Sequence, residues 1–545
     1  MKKAQPILFV LCFAFRIVQA QTVQESILID SETKRAVPYA SIGIVGTAKG
    51  TSSNLDGQFS LPIPVGASIR ISCLGYKTID VAEPIPKVIY LSPVITQLQE
   101  IIVTNKKVNA AGVVSKAFRS LKDNCLQQSF NQTFFYRHYC KDNEIYGRLI
   151  EASVDVYKPN GYKTVRSKPG ENESIRVNQL RRSFDKTIFA MGHVPIAINS
   201  ILESDVTAYR TKQPIGKVDF FSEVNATMAD FSLYTFTLAG ITVQDNEEVY
   251  VIEFQSVIDS VRTTTGRYVY LPQAKGKFFI TINSLAFVKT EVEKVWGTDT
   301  TVTNTYYKKY DGYFYPYHIT RTGKTYMRDG STHFFTIEFV STDIETKKPE
   351  PFEGKEPGRF QLLSIPYDSS YWNTMPLLKT TPLEDRIIAD LGGGKSLAQQ
   401  FYIYQREQIQ KIEEGKNGDE GFTWLVSEDF KKPKFVAFWR SECQICIEEI
   451  NSILQSTKEE FYLVSVSLDR DSANWSKAMK KLNWKNTENI KHIWLGNFSV
   501  MLDELNVKEL PRYTWYDKRG KLVVKQAAKP TTMAWRNQIN KLINE

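Results

Sequence analysis

The stretch Phe435-Val436-Ala437-Phe438-Trp439 decides the fold of the C-terminal part of the chain, because a short turn leads from it into Cys443-Gln444-Ile445-Cys446. The apolar run predicts a buried strand, and the following segment, Ile447-Glu448-Glu449-Ile450, predicts a helix. Two thiols three residues apart at the start of a helix can close a disulfide, and the helix dipole with its free N–H groups stabilises a thiolate there. This layout predicts a redox-active dithiol, and no other stretch of the sequence carries comparable chemistry.

Strands and helices alternate along the chain from about residue 420. Buried apolar runs predict the strands, and apolar residues three and four apart predict the helices. The order is strand, helix, strand, helix, then three strands and a final helix, as in the thioredoxin fold. The predicted strands are Phe435–Trp439, Phe461–Leu468, His492–Leu495, Tyr513–Tyr516 and Lys521–Val524, and the predicted helices are Cys446–Leu454, Trp475–Leu482 and Thr531–Ile543.

Several residues around the motif match one known family: Phe438-Trp439, Cys443, Cys446, Leu468-Asp469, Leu510-Pro511, Asp517 and Gly520. On these residues the segment 420–545 resembles the TlpA/ResA-like thiol–disulfide oxidoreductases of the bacterial envelope. The resemblance implies that Cys443 is the nucleophile and that Cys446 resolves the mixed disulfide. It also implies a cis-proline at Pro511, which with Leu510 faces the disulfide and leaves backbone groups free to pair with a bound peptide.

Three departures from the family pattern bear on the reactivity of the dithiol. Glu442 stands where tryptophan is usual, and a carboxylate beside Cys443 raises the pKa of its thiol. Gln444-Ile445 replaces the usual Gly-Pro between the cysteines. Arg512 replaces a small residue, and there it could offset the charge of Glu442 or bind an acidic partner. The residues expected to modulate the site are Trp439, Glu442, Leu510 and Arg512.

Length and composition predict several domains rich in sheet. A chain of 545 residues is long enough for about three domains of roughly 100–200 residues each. The net charge of +9 is spread along the chain in short basic clusters such as Asn105-Lys106-Lys107, which argues against a nucleic-acid role. The predicted fold class is multidomain: an all-β sandwich, a mainly-β (α+β) middle domain and an α/β thioredoxin-like domain.

The first twenty residues are expected to be a signal peptide. Lys2-Lys3 is the charged start, Ile7–Phe15 is the apolar stretch, and Val18-Gln19-Ala20 resembles a cleavage site. The apolar stretch is too short to span a bilayer, and no later run reaches ~18 apolar residues. We therefore expect an exported protein without a transmembrane span in the mature chain, in the periplasm or associated with the outer membrane.

Residues 21–104 predict a small β-sandwich, because short strands alternate with turn signals every ~8–12 residues. The predicted strands are Ser26–Ile29, Ala40–Ile44, Gln58–Leu61, Ser68–Cys73 and Val88–Leu91. Further matching positions are Val37-Pro38-Tyr39-Ala40-Ser41-Ile42, Gly46-Thr47, Gly50-Thr51, Asp56-Gly57-Gln58-Phe59, Ser72–Lys77 and Leu98–Val103. On these the segment resembles the carboxypeptidase regulatory-like (transthyretin-like) domain common in envelope proteins of Bacteroidetes, which implies a fold and little about function.

Residues 105–345 predict a β-rich middle domain of unknown function behind an amphipathic helix at Asn109–Leu121. The strand candidates are Phe134–Tyr139, Val249–Phe254, Lys277–Ile282, Phe287–Trp296 and Phe334–Val340, and Lys309–Phe314 predicts a hairpin turning at Asp311-Gly312. The aromatic residues of 306–317 fit cross-strand pairing or a glycan-stacking platform. Residues 346–419 read as a linker, 346–360, followed by a mostly helical segment, 367–410.

Other motifs carry weaker chemistry. Gly392-Gly393-Gly394-Lys395-Ser396 looks like the end of a phosphate-binding loop, but the pattern lacks its first glycine, and a helix-ending turn explains it better. The histidines show no paired ligand spacing and there is no second C-x-x-C, so no metal or cofactor is predicted. Cys125 and Cys140 could pair in an oxidising compartment or be buried apolar residues, and Cys73 is expected in a core.

The functional prediction is a cell-envelope thiol–disulfide oxidoreductase that acts through Cys443 and Cys446, with Pro511 at the site, on thiols or disulfides of a protein partner. A membrane redox donor is one candidate for its electron source. The alternative is a non-catalytic envelope binding or scaffold protein whose thioredoxin-like module is degenerate. Retention of both cysteines and Pro511 favours activity, whereas the altered neighbours Glu442 and Gln444-Ile445 favour the alternative.

Overall fold

The structure is a computed structural model that describes most of the chain. The described residues are 21–94, 108–163, 173–186, 196–208, 233–257, 259–262, 268–326, 330–357, 367–413, 432–456, 460–469, 471–496, 509–530 and 532–544, with the single residues 362, 365, 422, 426, 502, 505 and 507. The predicted signal peptide lies outside the described residues. Among the described residues, no helix combines the length and the apolar character needed to cross a membrane.

The N-terminal unit is a β-sandwich of two small sheets, as predicted. In the described chain, one sheet has the order β4-β1-β7 and the other the order β3-β2-β5-β6. The strands are β1 (Gln21–Asp30), β2 (Ser41–Ile44), β3 (Gly50–Ser52), β4 (Gln58–Pro64), β5 (Ile69–Ser72), β6 (Ile79–Val81) and β7 (Val88–Leu91). Alternate apolar residues point between the sheets, so that Leu28, Ile42, Phe59 and Ile71 are fully buried.

The turn into β4 depends on a glycine. Gly57 has a φ of +72°, and a Cβ added there would lie 2.5 Å from the carbonyl oxygen of Leu28. Only a residue without a side chain fits this positive φ and this close approach. The Asp56-Gly57 turn predicted from the sequence therefore holds β4 against β1 in register.

A large antiparallel sheet forms the middle of the molecule. In the part of the chain that the structure describes, ten strands join it in the order β10-β9-β8-β19-β18-β17-β16-β15-β12-β11, and a separate hairpin joins β13 to β14. The strands are β8 (Phe130–Asp142), β9 (Ile145–Lys158), β10 (Ser174–Arg182), β11 (Tyr234–Gln244), β12 (Glu247–Ser256), β13 (Ser260–Arg262), β14 (Tyr268–Tyr270), β15 (Gln273–Thr281), β16 (Phe287–Trp296), β17 (Asp299–Tyr310), β18 (Tyr313–Tyr326) and β19 (Thr332–Glu345).

Short helices cover parts of this sheet. They are α1 (Ala110–Arg119), α2 (Leu121–Asn124) and α3 (Ile198–Ser204). Asn109, the first residue of the predicted helix, caps α1 by accepting a hydrogen bond from the backbone N–H of Gly112 at 2.9 Å. The Phe118 ring then meets the rings of Phe278 and Phe287 edge-on, which buries α1 against the sheet.

The aromatic stretch predicted to be either a packing cluster or a glycan platform packs inside the molecule. Tyr307 and Tyr315 are buried, and the Asp311-Gly312 turn joins β17 to β18 as predicted. The Tyr306 and Tyr317 rings lie 6.1 Å apart, and the Tyr317 hydroxyl donates to the carbonyl of Tyr39 at 2.8 Å. Pairing within the sheet and contact with the sandwich therefore account for these rings.

The sandwich is joined to the large sheet by polar contacts between residues far apart in sequence. The Ser52 hydroxyl and His318 Nδ1 lie 2.8 Å apart in a buried hydrogen bond. Two strands away in the same small sheet, the Asp245 carboxylate accepts from the hydroxyls of Ser72 at 2.6 Å and Thr78 at 2.7 Å. These contacts fix the sandwich to the sheet at two separate places.

The segment between the sheet and the last domain does more than link them. Composition predicts a linker over 346–360, but Arg176 stacks on the ring of Phe352, with 4.4 Å to the ring centre, and the N–H of Ile175 donates to the carbonyl of Gly354 at 3.1 Å. Its prolines and glycines prevent regular structure without preventing contact with β10. The helical part is as predicted, with α4 (Ser369–Thr374), α5 (Pro382–Gly392) and α6 (Leu397–Glu413).

The glycine-rich turn after α5 ends that helix and does not form a phosphate-binding loop. Gly393 caps α5 with a φ of +57°, its N–H donates to the carbonyl of Ala389, and α6 starts at Leu397. This is the helix-ending turn that the sequence favours over a nucleotide site.

A buried charge cluster fastens α5 to the sheet. The Arg137 guanidinium donates to Glu151 at 2.9 Å, to Glu384 at 3.1 Å and to the carbonyl of Leu378 at 2.6 Å. Arg181 adds a bond to the second Glu151 oxygen at 2.6 Å. Glu384 also completes the capping box of α5, so one carboxylate serves both the start of the helix and the ion pair.

The C-terminal unit has the thioredoxin fold. Across the described part of this unit, the sheet order is β22-β21-β20-β23-β24, with β20 parallel to β21 and antiparallel to β23. The elements are β20 (Lys434–Trp439), α7 (Gln444–Ser456), β21 (Tyr462–Ser467), α8 (Ser472–Leu482), β22 (Ile490–Trp494), β23 (Arg512–Tyr516), β24 (Leu522–Val524) and α9 (Met533–Asn544). All of them overlap the predicted elements.

Three cysteines of the described residues, Cys73, Cys125 and Cys140, are not part of a disulfide. Cys125 and Cys140 are buried and form no disulfide with each other in the described structure, which agrees with their interpretation as small apolar core residues. Cys73 is only partly buried and packs at the margin of the sandwich core, so its prediction as a core residue is too strong. Its burial raises the pKa of the thiol to about 12, which makes this cysteine a poor nucleophile.

Candidate redox site

Strand β20 delivers the cysteine motif to the edge of the sheet. All six residues of β20 are buried, so the strand is held firmly up to Trp439. The chain then turns, the N–H of Cys443 donates to the carbonyl of Arg440 at 3.0 Å, and α7 begins at Gln444. Cys443 is thus placed immediately before the first turn of a helix, as the sequence predicts.

The two cysteines form a disulfide and differ in exposure. Their sulfurs lie 2.01 Å apart, Cys443 is half-buried and Cys446 is fully buried. The backbone N–H of Cys446 donates to Cys443 Sγ at 3.3 Å. Because this donor belongs to the unpaired first turn of α7, it is placed to stabilise negative charge on that sulfur once the disulfide is reduced.

A buried carboxylate holds the turn before Cys443. Asp469, just beyond the end of β21, accepts from the Ser441 N–H at 3.0 Å and from the Ser441 hydroxyl at 2.7 Å. The Ser467 hydroxyl donates to its other oxygen at 2.7 Å. The sequence placed Leu468-Asp469 at the end of a strand but gave this carboxylate no role; a lone acid at the end of an otherwise apolar strand is the signal that could have found it.

A second acid that the sequence reasoning missed lies one helical turn beyond Cys446. The Glu449 carboxylate accepts a hydrogen bond from the Tyr513 hydroxyl and forms an ion pair with the Lys529 ammonium. Burial, followed by the Glu449 charge, raises the pKa of the Tyr513 hydroxyl well above its usual value, so it remains a donor at all physiological pH values. The contact ties α7 to β23.

The residues between and beside the cysteines differ in exposure and contacts. Glu442 is exposed, Ile445 is 57% exposed and the Gln444 amide donates to Glu448 at 3.0 Å. The Leu510–Pro511 peptide bond is cis, as the resemblance implies.

Arg512 does not fulfil the ion-pair role considered for it. Its guanidinium donates to the carbonyls of Lys525 at 3.0 Å and Leu505 at 3.4 Å, and within the described residues it is not ion-paired with Glu442. The reason is its register: Arg512 opens β23 opposite Phe438, where main-chain carbonyls are the nearest acceptors.

An aromatic stack lies beneath the site. Trp439, fully buried, meets Trp484 edge-on at 4.8 Å, and Trp484 stacks on His492 at 5.2 Å. Burial lowers the pKa of His492 to about 4, so this imidazole is neutral at physiological pH. The sequence assigned His492 no ligand role, and the structure places it as a packing residue of the domain.

The N-terminal domain matches a family profile. Residues 27–103 match the CarboxypepD_reg-like domain, which agrees with the resemblance seen in the sequence. No curated protein matches the chain.

Several solved structures are similar to the C-terminal part. The thioredoxin domain of a thiol-disulfide oxidoreductase from Bacteroides vulgatus is 22% identical, with 21% of this chain and 80% of that chain covered and a TM-score of 0.17. A thiol-disulfide oxidoreductase from Bacteroides fragilis is 21% identical over 20% of this chain and 81% of its own, with a TM-score of 0.17. A secreted disulfide oxidoreductase from Mycobacterium tuberculosis is 16% identical over 22% and 85%, also with a TM-score of 0.17.

The strand order of the last domain is itself that of the thioredoxin fold. The central β20, the parallel β21 and the antiparallel β23 are arranged as the thioredoxin fold requires. The chain therefore carries a carboxypeptidase regulatory-like domain near its N-terminus and a thioredoxin-like domain at its C-terminus.

Proposed function

We propose that this protein is a cell-envelope thiol–disulfide oxidoreductase that exchanges the Cys443–Cys446 disulfide with a protein partner. The observation that carries the proposal is the asymmetry of the motif. Cys443 is half-exposed and receives the backbone N–H of Cys446 at 3.3 Å, whereas Cys446 is fully buried. An accessible nucleophile with a protected resolving thiol is the arrangement that disulfide exchange needs.

The exchange in the reducing direction has two balanced steps. The Cys443 thiolate attacks one sulfur of a partner disulfide, the other partner sulfur leaves as a thiolate, and a mixed disulfide forms. The Cys446 thiolate then attacks Cys443 Sγ, the partner's first sulfur leaves, and the Cys443–Cys446 disulfide forms. Two electrons pass to the partner, whose two thiolates take up the protons that the two cysteines released. The reverse sequence oxidises a partner dithiol.

Export supports this assignment. The charged start, apolar stretch and A-x-A-like site within residues 1–20 are typical of a secreted protein, and disulfide exchange between proteins belongs to such compartments. In this proposal the sandwich of residues 21–104 and the large sheet of residues 105–345 locate the redox domain or hold its client. Periplasmic and outer-membrane-associated positions both fit.

The test is trapping of the exchange intermediate. Cys446→Ser leaves Cys443 without its resolving thiol, so we expect mixed disulfides to accumulate on the envelope-exported full chain, visible as dithiothreitol-sensitive bands. Cys443→Ser should trap nothing and should abolish insulin-disulfide reduction in the presence of dithiothreitol. Cys73→Ser is the matched control, because that thiol lies in another domain and should leave both readouts unchanged.

The opposite result would favour the non-catalytic reading. If the reduced chain shows no reversible dithiol titration and Cys446→Ser traps no partner, the thioredoxin-like unit serves packing or binding alone. Under that reading, replacing both Cys443 and Cys446 by alanine would leave the cellular phenotype of the full chain intact.

A further inference from the structure

A polar cleft lies between the sandwich and the hairpin ends of the large sheet. Its volume is about 910 Å³, within the range of small-molecule sites, which often form at such domain junctions. One wall is built by β2, β5 and β6 of the sandwich, and the other by the β11–β12 and β17–β18 hairpins. Its lining includes the charged residues Asp80, Asp245, Glu247, Lys308 and Asp311.

Of the three lysines that line this cleft, Lys308 is the least exposed, whereas Lys309 and Lys347 lie at the surface. Among the described residues, the Lys308 ammonium donates to the carbonyl of Ala48, and the 3.5 Å distance makes this a weak hydrogen bond. No carboxylate of the described chain lies within ion-pair distance of its ammonium, and the charge of Asp343 acts on it only from farther away. An ammonium in a recess without an anionic partner carries an uncompensated desolvation cost.

The acidic residues of the cleft are already engaged. Asp80 is paired with Arg70 at 2.7 Å. Asp245 accepts the two hydroxyl bonds that hold the sandwich, and Glu247 accepts from the N–H groups of Asn283 and Ser284 at 3.2 Å. The fourth acid, Asp311, lies at the exposed hairpin tip. The group that the cleft lacks is therefore a negatively charged hydrogen-bond acceptor beside the Lys308 ammonium.

We propose that this cleft binds a small organic carboxylate, with the Lys308 ammonium as the group that holds its anionic end. The site is independent of the cysteine motif, because its residues belong to the sandwich and the large sheet. Dicarboxylic acids and uronic acids share this chemistry.

The protonation state of Lys308 supports the assignment and makes it testable. Burial lowers its pKa to about 8, against a smaller opposing effect of Asp343. The charge that acts on it is that of Asp343 from β19. The other charged residues that line the cleft are Arg70, Asp80, Asp245, Glu247, Lys309, Asp311 and Lys347. A bound carboxylate requires the charged ammonium, so the affinity should fall as the pH rises from 7 to 9.

The experiment uses the full mature chain and calorimetric titration with four probes: glutarate, digalacturonate, the neutral dimethyl ester of glutarate, and inorganic phosphate. We expect either glutarate or digalacturonate to bind and the dimethyl ester not to bind. Which of the two acids binds shows whether the natural ligand is an aliphatic acid or a sugar acid. Lys308→Gln should weaken carboxylate binding by roughly 10- to 100-fold, the effect of removing a charge-assisted hydrogen bond. Lys309→Gln, which changes the adjacent exposed lysine, should weaken it by less than about threefold.

Each other outcome overturns the proposal. If neither carboxylate binds, if the ester or phosphate binds as well as the acid, or if Lys308→Gln binds like the wild type, the cleft is not a carboxylate site. Thermal unfolding shows whether Lys308→Gln is folded. Should it be unfolded, Lys308→Arg replaces it: this variant keeps its charge above pH 8, so its binding should persist at pH 9 where the wild type has lost affinity.

Discussion

The Asp469 carboxylate accepts both the backbone N–H and the side-chain hydroxyl of Ser441, and so joins the end of β21 to the turn that precedes Cys443. The positions of Cys443 Sγ and of the first turn of α7 therefore depend on a residue 26 positions away in sequence. Asp469→Asn keeps the shape of the side chain, but its amide NH2 replaces one carboxylate oxygen and then faces hydrogen-bond donors of the protein. We expect the free energy of unfolding of the domain to fall by about 1–3 kcal/mol, measured by denaturant titration.

The control for this prediction is Asp471→Asn. Asp471 caps α8 from an exposed position, and asparagine caps helices about as well as aspartate, so its change should cost less than about 0.5 kcal/mol. Ser441→Ala, which removes one hydroxyl donor, should fall between the two. Equal stability of Asp469→Asn and the wild type would show that the hydrogen bonds of Asp469 to Ser441 do not stabilise the domain.

The reduced protein should alkylate at one of its two motif cysteines. Cys443 is half-buried and Cys446 is fully buried, so iodoacetamide should modify Cys443 in the folded state and Cys446 only after unfolding. Mass spectrometry of peptides after a timed pulse gives the measurement. Fast modification of Cys446 under native conditions would contradict the asymmetry on which the proposed function rests.

The exposed Glu442 should slow Cys443. Its negative charge disfavours the neighbouring thiolate, and because solvent screens it, Glu442→Gln should raise the alkylation rate of Cys443 at pH 7 by only about twofold. Glu448→Gln, on the exposed face of α7, provides a comparison at greater distance in sequence. A rate that falls in Glu442→Gln would mean that the carboxylate acts by position rather than by charge.

The C-terminal domain should lose stability in mild acid because of His492. Its pKa is lowered to about 4 in the folded state, while the unfolded imidazole titrates near its ordinary value of about 6.5. At a pH above the unfolded-state pKa, His492 is neutral in both states and does not change the free energy of unfolding. As the pH falls from 6.5 toward 4, only the unfolded chain takes up the proton, so unfolding is favoured. Between pH 7 and pH 5 the loss is about 2 kcal/mol.

Tryptophan fluorescence reports this loss directly, because Trp484 stacks on His492. His492→Gln should remove the slope between pH 7 and pH 5, whereas His333→Gln, in the large sheet, should leave it in place. An unchanged slope in His492→Gln would assign the acid sensitivity to another group.

The charge cluster around Arg137 should be intolerant of single changes. Arg137→Met leaves Glu151 and Glu384 buried with less compensation, and the expected loss is about 3–5 kcal/mol. Burial raises the pKa of Glu384, so its carboxylate is the member of the cluster most readily neutralised. Glu384→Gln should accordingly cost less than Glu151→Gln in thermal unfolding at pH 7; the reverse order would contradict this ranking.

Local patterns were sufficient for much of the fold. The strands of the sandwich, the Asp311-Gly312 hairpin and the helix after Cys443 follow from alternation, turn residues and helical periodicity, each within about ten neighbouring positions. The same holds for the glycine turn after α5, which the sequence favoured over a phosphate loop.

What the sequence could not supply depends on residues far apart. Ser52 meets His318 across 266 positions, and no periodicity reports such a contact. The bonds of Asp469 to Ser441 and of Arg512 to the carbonyls of Leu505 and Lys525 depend on strand register in the assembled sheet. The sequence left two roles open for Arg512, offsetting the charge of Glu442 or binding an acidic partner, and it could not show that the Arg512 guanidinium donates to these carbonyls.

The contact of the sandwich with the segment before α5 has a consequence for the order of assembly during synthesis. The Thr51 hydroxyl donates to the carbonyl of Leu377, 326 residues later, and the Asn54 amide reaches the carbonyl of Lys379. A growing chain therefore completes the sandwich long before the segment that covers this face has been made. Water must hydrogen-bond to those polar groups in the interval, and the final docking of sandwich, sheet and α5 becomes a late event in the folding of the chain.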